Sequence, residues 1–252
     1  MSAEGSANTT SFSRDDFDAR VSGIAALGEP VRRALYVYLV AQAGPVNRDQ
    51  AARGTGVARH IAKFHLDKLV GDGLLEVEYR RPAGRSGPGA GRPTKFYRRA
   101  SREVTVSLPE RHYELAGRLF AQAIVDSGRD GVSVRDALAH AARAVGLGLG
   151  RRAREQAESR ASRGALLAAT TDVLGQCGYE PRADTTGVTL VNCPFRSLAQ
   201  DYTELVCGTN LEMMHGLVDG LERSRLEARL DPGPGRCCVR LDKTFAVASE
   251  SE

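Results

Sequence analysis

The chain has 252 residues, of which 26% are charged and 42% hydrophobic, and its formal net charge is +4. This length accommodates two domains, each with a core of its own. The sequence lacks a run of about 18 apolar residues, which excludes a membrane-spanning protein of the helical class. Residues 1–18 are rich in Ser, Thr and Asp and contain no apolar signal segment, so we expect a cytoplasmic protein with a disordered tail over residues 1–19.

The first predicted helix runs from Glu29-Pro30 to about Ala43. Its proline suits the first turn, where the missing N–H would have no intrahelical partner, and apolar residues then recur at helical spacing. Asn47 followed by Gln50 has the form of a capping box, in which each side chain accepts a hydrogen bond from an otherwise unpaired backbone N–H. This signal predicts a short second helix that ends near Gly54 or Gly56.

A third helix is predicted from about Ala58 to Asp72, with two different faces. The face predicted to pack on the core contains Ile61, His65, Leu66 and Leu69. The face predicted to contact DNA contains Arg59, His60, Lys63, Phe64 and Lys68. Side chains in the early turns of such a helix reach base edges in the major groove, whereas His65 is interpreted as a core histidine.

Two strands are predicted next, at 74–79 and 94–98, with a loop rich in Gly and Pro between them. Residues 80–99 contain seven Arg or Lys and no Asp or Glu, so this hairpin presents an uncompensated positive charge that suits phosphates. A solvated surface loop is the alternative. The residues predicted to contact DNA from this wing are Arg80, Arg81, Arg85, Arg92 and Lys95.

Charge is concentrated in this part of the chain. Residues 20–107 hold 16 Lys plus Arg against 7 Asp plus Glu, a balance of +9, which indicates a polyanionic partner. Three helices followed by a basic hairpin predict a winged helix-turn-helix domain over residues 20–100, which would bind double-stranded operator DNA. A linker is predicted at 101–109.

The second predicted domain covers residues 110–245, and residues 246–252 form a tail. Its predicted helices lie at 111–127, 134–145, 161–175 and 210–221, and its predicted strands lie at 179–184, 187–192, 225–230 and 238–241. The expected fold class is α+β, with an N-terminal winged helix-turn-helix domain and a C-terminal α+β sensor domain. The helix at 111–127 is expected to pack within this domain or against a second copy, because helix-turn-helix proteins bind paired half-sites as homodimers.

All five cysteines lie in the second domain, at positions 177, 193, 207, 237 and 238. An odd number without a signal segment argues against a disulfide scaffold. Cys193 follows a predicted strand, Cys207 comes after thirteen intervening residues, and Cys237-Cys238 follow a Pro-Gly turn. Thiolates are the ligands preferred by zinc and iron–sulfur clusters. Free cysteines are also common as small buried hydrophobic residues, and both interpretations stay open at this point.

Two regions of the sequence resemble a known family. The stretch from Val57 to Glu76, followed by Gly84-Arg85-Ser86-Gly87-Pro88-Gly89-Ala90-Gly91-Arg92-Pro93, resembles actinobacterial regulators of the arsenic-repressor-like winged-helix class. Asn192-Cys193-Pro194-Phe195, the segment Glu204-Leu205-Val206-Cys207 and the late cysteine pair resemble the branch of iron–sulfur-sensing repressors of cluster-assembly operons. The vicinal pair departs from the usual ending of those repressors.

The resemblance implies that Cys193, Cys207 and one of Cys237 or Cys238 are thiolate ligands of an iron–sulfur cluster. The expected function is therefore a DNA-binding repressor whose operator affinity responds to a cluster or to thiol redox state. The alternative is a regulator of the same architecture that responds to a small molecule or to zinc, with structural cysteines.

We do not expect an enzyme. The glycines between 146 and 150 follow a predicted helix rather than a strand, and those between 87 and 91 run into Pro93, so neither run suits a phosphate-binding loop. No GxSxG or HExxH motif is present. The remaining enzymatic alternative uses Cys193 as a nucleophile, which would require a base beside it.

Overall fold

The computed structural model describes residues 14–81, 93–158, 162–222 and 224–244. The chain separates into two compact units, and the division between Val106 and Ser107 falls within the predicted linker. Both units combine helices with an antiparallel sheet, so the predicted α+β class is confirmed. None of the helices in the described part of the chain is long and apolar enough to cross a bilayer.

The N-terminal unit is a trihelical core preceded by one more helix and closed by a small sheet. In chain order its described elements are α1 (Arg14–Ala26), α2 (Pro30–Val40), β1 (Val46–Asn47), α3 (Arg48–Thr55), α4 (Arg59–Gly71), β2 (Leu75–Arg80) and β3 (Thr94–Arg99). The sheet order is β1-β3-β2, and both pairings are antiparallel. The short strand β1, which was not predicted, thus pairs with β3 of the predicted hairpin.

Helix α1 corrects the prediction of a tail over residues 1–19. Residues 14–19 are helical, whereas residues 1–13 lie outside the described part of the chain. The helix contacts the domain through small residues, because Ala26 is 5% exposed and a Cβ at Gly23 would lie 3.6 Å from side-chain carbons of Leu74 and Val104. Small residues produce little hydrophobic periodicity, which is why the pattern did not reveal this helix.

The predicted capping box of α3 is present. Asn47 Oδ1 accepts hydrogen bonds from the backbone N–H groups of Asp49 at 3.0 Å and Gln50 at 2.9 Å. In return, Gln50 Oε1 accepts from the Asn47 N–H at 2.9 Å. Gly56 ends the helix with a φ of 70°, a left-handed conformation that glycine adopts without steric cost. The turn between α3 and α4 is therefore specified locally by the sequence.

The C-terminal unit contains the remaining described elements. They are α5 (Tyr113–Asp130), α6 (Val134–Glu158), α7 (Arg163–Gln176), β4 (Pro181–Ala183), β5 (Gly187–Leu190), α8 (Arg196–Asp201), α9 (Thr203–Leu221), β6 (Leu226–Leu230) and β7 (Val239–Lys243). Its sheet has the order β4-β5-β7-β6 with every pairing antiparallel. The predicted β4–β5 hairpin is present, but α8 was not predicted and α9 begins seven residues before the predicted helix.

Helix α6 extends well beyond the predicted end at 145 because the glycines that follow lie inside it. A Cβ added at Gly146 would lie 1.8 Å from the backbone oxygen of Met213, and one added at Gly150 would lie 2.2 Å from that of Leu217. From the other side, a Cβ at Gly216 would lie 2.0 Å from the Arg143 oxygen. Glycine is therefore required on both helices, since only backbones without side chains approach this closely.

This contact yields a prediction with an internal control. Gly150→Ala should lower the free energy of unfolding by at least ~1–3 kcal/mol, because the new methyl group overlaps the α9 backbone. Gly148→Ala lies on the same helix with no atom within 4 Å of the added carbon. It should raise the free energy of unfolding by up to ~1 kcal/mol through helix propensity. Chemical denaturation measures both, and equal effects would contradict the α6–α9 contact.

Candidate nucleic-acid interface and thiol cluster

Helix α4 has one face in the core of the N-terminal unit and the other in solvent. Ala62, Leu66 and Leu69 are completely buried, and together they anchor the helix. His65 lies beside this face, where its Nδ1 approaches Glu29 Oε2 at 3.6 Å. The contact supports the interpretation of His65 as a core histidine, because it meets the residue that caps the start of α2.

The five residues predicted to contact DNA from α4 are all exposed. Arg59 Nη2 donates to Asp49 Oδ2 at 3.1 Å, and Lys68 Nζ lies 3.1 Å from Asp72 Oδ1. The ammonium group of Lys63 lies 4.0 Å from a carboxylate oxygen of Asp67. The cationic side of each pair is exposed, and ion pairs of this kind contribute little to stability, so these cations can exchange their carboxylate partners for phosphates.

The solvent-facing side of α4 also carries apolar groups. Phe64 is 65% exposed, and its ring makes an edge contact with the ring of His65 at a centroid distance of 5.1 Å. Ile61 is 38% exposed, so its predicted place on the core face is wrong. The completely buried Ala62 occupies the core position instead, and its small side chain allows α4 to pack closely on its neighbours. We define the α4 outer face as His60, Ile61, Lys63, Phe64 and Lys68.

A part-buried hydrogen bond attaches α4 to the wing strand β3. Tyr97 on β3 is 1% exposed, and its hydroxyl donates to Asp67 Oδ1 at 2.9 Å. Lys95 Nζ donates to the same oxygen and lies 4.9 Å from the centre of the Tyr97 ring. Burial raises the pKa of Asp67, but the bonds from Lys95 and Tyr97 outweigh it and hold the pKa below its ordinary value. The charged carboxylate of Asp67 therefore links α4 to β3.

The other wing residues differ in their surroundings. Arg80 pairs with Glu78 and lies over the Phe96 ring at 5.4 Å, and Arg81 is exposed. Arg85 and Arg92 lie outside the described residues. Because Lys95 is already engaged by Asp67, its contribution to DNA binding stays a prediction, as do those of the other wing cations.

The cysteines predicted as ligands come from three places in the C-terminal unit. Cys193 follows β5, Cys207 lies in the first turns of α9, and Cys237 and Cys238 precede β7. Cys193 is 8% exposed and Cys237 is 2% exposed. Cys207 and Cys238 are partly buried.

Two hydrogen bonds bring these three places together. The Cys237 N–H donates to the Leu190 oxygen at 2.8 Å, which joins the late cysteine pair to the end of β5. Asn210 Nδ2 donates to Cys237 Sγ at 3.1 Å, which joins the same cysteine to α9. Asn210 comes three residues after Cys207, so both side chains point to the same side of the helix.

The thiols influence one another in a way that agrees with this arrangement. A hydrogen bond with Cys237 raises the pKa of Cys193, and burial raises it further. The bond with Cys193 lowers the pKa of Cys237, but a bond with Cys238 and burial outweigh it and raise the pKa to about 11. Burial raises the pKa of Cys207, while a bond with Cys238 lowers it. Cys193, Cys207, Cys237 and Cys238 therefore form a thiol cluster.

A buried polar relay, formed by Tyr179 and Asn210, supports this cluster and was not predicted from the sequence. The Tyr179 hydroxyl donates to Asn210 Oδ1 at 2.6 Å, and that bond orients the Asn210 amide so that its nitrogen faces Cys237. Tyr179 is completely buried and Asn210 is 1% exposed. A tyrosine just before a strand and an asparagine inside a helix carry no pattern that links them, so only the fold reveals the pair.

The loop that carries Cys193 is fixed separately. Arg111 Nη1 donates to Asn192 Oδ1 at 2.5 Å and to the Cys193 oxygen at 3.2 Å. Asn192 Nδ2 donates in turn to the backbone oxygens of Gly178 and Glu110, at 2.5 and 3.0 Å. The side chain of Asn192 thus holds the loop that carries Cys193 in place.

Two further residues with ligating side chains, His215 on α9 and Cys177, have other partners. His215 places Nδ1 3.3 Å from Glu212 Oε1 and Nε2 3.2 Å from the Ala228 oxygen. Cys177 is 8% exposed, and burial raises its pKa to about 11, while Arg152 lowers it. Neither residue has a bond to the thiol cluster among those described here.

The donor set of the thiol cluster suits a thiophilic metal or an iron–sulfur cluster. It offers four sulfurs and one amide N–H directed at a sulfur, the kind of outer hydrogen bond that accompanies thiolate ligands. Within the described residues, no group of three or more His, Cys, Asp or Glu side chains already has metal-holding geometry. Binding would therefore require the thiols to rearrange and to lose their protons.

Comparison with known proteins identifies the N-terminal unit. Residues 27–78, which span α2 to α4 and most of β2, match the family model of a helix-turn-helix domain. The chain matches no curated protein and no solved structure. The match and the exposed basic face of α4 support a DNA-binding transcriptional regulator.

The exposed position of the cations on α4 leads to a prediction. Arg59→Ala and Lys63→Ala should each weaken binding to the preferred DNA sequence by about 1–3 kcal/mol, because each loses a contact to a base or its phosphate. The fold should remain intact, since these side chains are 61% and 58% exposed.

DNA titration measured by fluorescence anisotropy, after selection of the preferred sequence, provides the measurement. Arg118→Ala is the matched control, because Arg118 is 63% exposed and paired with Glu114 on α5 of the other unit. Wild-type affinity in both α4 variants would contradict this orientation of the helix.

Proposed function

We propose that the chain is a homodimeric transcriptional repressor of the arsenic-repressor-like winged-helix class, which binds operator DNA under control of an iron–sulfur cluster. The helix-turn-helix match supports the DNA-binding part. The observation that carries the sensing part is the bond from Asn210 Nδ2 to Cys237 Sγ at 3.1 Å, because it directs a buried amide donor at a cysteine and joins the late cysteine pair to the helix that carries Cys207.

The buried relay favours a metal-bound sulfur at position 237, because the free Cys237 thiol, with its pKa raised to about 11, is neutral near pH 7. An amide N–H that faces a neutral thiol is poorly satisfied, because sulfur in S–H is a weak acceptor, whereas a thiolate accepts a charge-assisted bond. Two almost fully buried polar residues, Tyr179 and Asn210, are arranged so that one amide N–H faces this sulfur. Such an arrangement is costly in a core unless the sulfur carries charge or binds a metal.

The ligand elements explain how binding would act on the protein. An iron–sulfur cluster supplies ligand bonds that respond to oxygen and to redox state. Cys193, Cys207 and the Cys237-Cys238 pair would then restrain the loop after β5, the start of α9 and the start of β7 together. If the restrained and released forms of the unit hold the recognition helices of a dimer differently, the two forms differ in operator affinity.

Anaerobic purification tests this proposal directly. We expect a coloured protein with iron and acid-labile sulfide, and different affinities of the loaded and metal-free forms for the DNA sequence selected by the full-length protein. Stoichiometric zinc without sulfide, or five freely titratable thiols and no metal, would reject iron–sulfur sensing. Zinc would support instead the regulator with structural cysteines.

Individual cysteines should contribute unequally to iron content. Cys193→Ser and Cys207→Ser should each remove most of the iron and its visible absorbance, because serine oxygen is a poor substitute for thiolate sulfur. The double variant Cys237→Ser/Cys238→Ser should do the same. Cys177→Ser is the matched control and should keep its iron. Equal losses in all variants would indicate that the cysteines support the fold and not a cluster.

The relay gives a second, separate prediction. Asn210→Leu should lower the reduction potential of the loaded protein, because loss of an N–H···S bond removes a stabiliser of the more negative reduced state. It should also lower the free energy of unfolding by about 1–3 kcal/mol, since the Tyr179 hydroxyl loses its acceptor.

Potentiometric titration and chemical denaturation measure the two effects separately. Thr170→Val is the control, because Thr170 is buried in the same unit and its hydroxyl bonds to Leu166 of its own helix. This variant should keep the wild-type potential. A normal potential in Asn210→Leu would reduce the relay to a purely structural role.

A further inference from the structure

Phe64 is a large aromatic side chain that the fold does not use. It is 65% exposed, whereas α4 is anchored in its unit by Ala62, Leu66 and Leu69, which are completely buried. Exposure of a large apolar side chain to water has no benefit for the isolated domain. A single exposed apolar side chain is ordinary on a protein surface, so the surroundings of Phe64 on α4 decide what it can contact.

The neighbours of Phe64 define what kind of surface surrounds it. His60 comes four residues before it and Lys68 four residues after it, so all three share one side of the helix. Ile61, three residues before Phe64, adds a second apolar group that is 38% exposed. Lys63 brings a further positive charge. The α4 outer face is thus an apolar centre with a basic rim.

Two carboxylates beside the rim do not cancel this charge, because three lysines share them. Asp67 is bound by Lys95 and Tyr97 from β3 and lies 4.0 Å from Lys63, and Asp72 pairs with Lys68 at 3.1 Å. The positive rim therefore complements a polyanion, while the apolar centre requires an apolar group on that polyanion. In duplex DNA the major groove offers one such group, the C5-methyl of thymine, because the other base edges present hydrogen-bond donors and acceptors.

We propose that Phe64, assisted by Ile61, determines sequence specificity by packing against the C5-methyl group of a thymine in the major groove. The proposal rests on the DNA-binding function proposed above. The α4 outer face then makes two kinds of contact with DNA. Its cations bind phosphates or polar base edges, and its aromatic ring packs against a methyl group. Thymine is then preferred over cytosine at that position through apolar contact and not through a hydrogen bond.

Substitution of single thymines by deoxyuridine tests this contact, because it removes only the methyl group. The full-length protein is first used to select its preferred sequence from random duplexes, and each thymine is then replaced in turn. At one or more positions per half-site we expect an affinity loss of about four-fold, equivalent to ~0.8 kcal/mol for one buried methyl-sized group. Wild-type affinity for every uracil-substituted duplex would overturn the proposal.

Variants of the protein identify the side chain involved. In Phe64→Ala the thymine and uracil duplexes should bind equally, because the ring that contacts the methyl group is gone. Ile61→Ala should reduce the difference without abolishing it. Val37→Ala is the matched control, since Val37 is 58% exposed on α2, and it should retain the full four-fold difference. A persistent difference in Phe64→Ala would overturn the assignment.

The failure of each proposal gives a different result. If no sequence is enriched in the selection, DNA binding by this chain is rejected, and the thymine contact with it. If a sequence is enriched and Arg59→Ala weakens its binding while uracil substitution has no effect, DNA binding stands and the role of Phe64 is rejected. A selected half-site that contains no thymine rejects it in the same way.

Discussion

The orientation of α4 depends on the carboxylate of Asp67. It accepts bonds from the buried Tyr97 hydroxyl and from Lys95, both on β3, and so attaches the recognition helix to the strand behind the wing. Leu66 and Leu69 bury the inner side of the helix and Asp67 holds its flank, and these contacts oppose rotation of α4 about its axis. The α4 outer face is consequently presented to solvent without any contribution of its own to the fold, which leaves it available for DNA.

The C-terminal unit depends on a different interaction, the close backbone contact between α6 and α9. The glycines of α6 and α9 bring the two helices together at distances that no side chain would permit. Helix α9 carries both Cys207 and Asn210, so its placement against α6 also positions the thiol cluster. The late cysteine pair is then drawn in by the backbone bond to Leu190. The α6–α9 contact thus helps to position the sulfurs of the thiol cluster.

The parts of this fold that the sequence predicted are those with local causes. The capping box at Asn47, the left-handed Gly56 and the alternating hairpin strands are specified by neighbours in the chain, and each is present. Helix α1 and the continuation of α6 were missed because their contacts use glycine and alanine, which are interpreted as breakers or as neutral residues. The bond between Tyr179 and Asn210 joins residues 31 positions apart, and no sequence spacing indicates such a pairing.

The two functional regions relate differently to the stability of their own units. On α4, the proposed DNA contacts of Arg59, Lys63 and Phe64 come from exposed side chains, so their replacement should change recognition with little effect on folding. Cys193 and Cys237 belong to the core of the C-terminal unit. Under the proposed function, binding at their sulfurs would add to the stability of β5, α9 and β7, by the mass action of a ligand that favours the folded arrangement. A signal at the cysteines would then act by changing how firmly the core of this unit is packed.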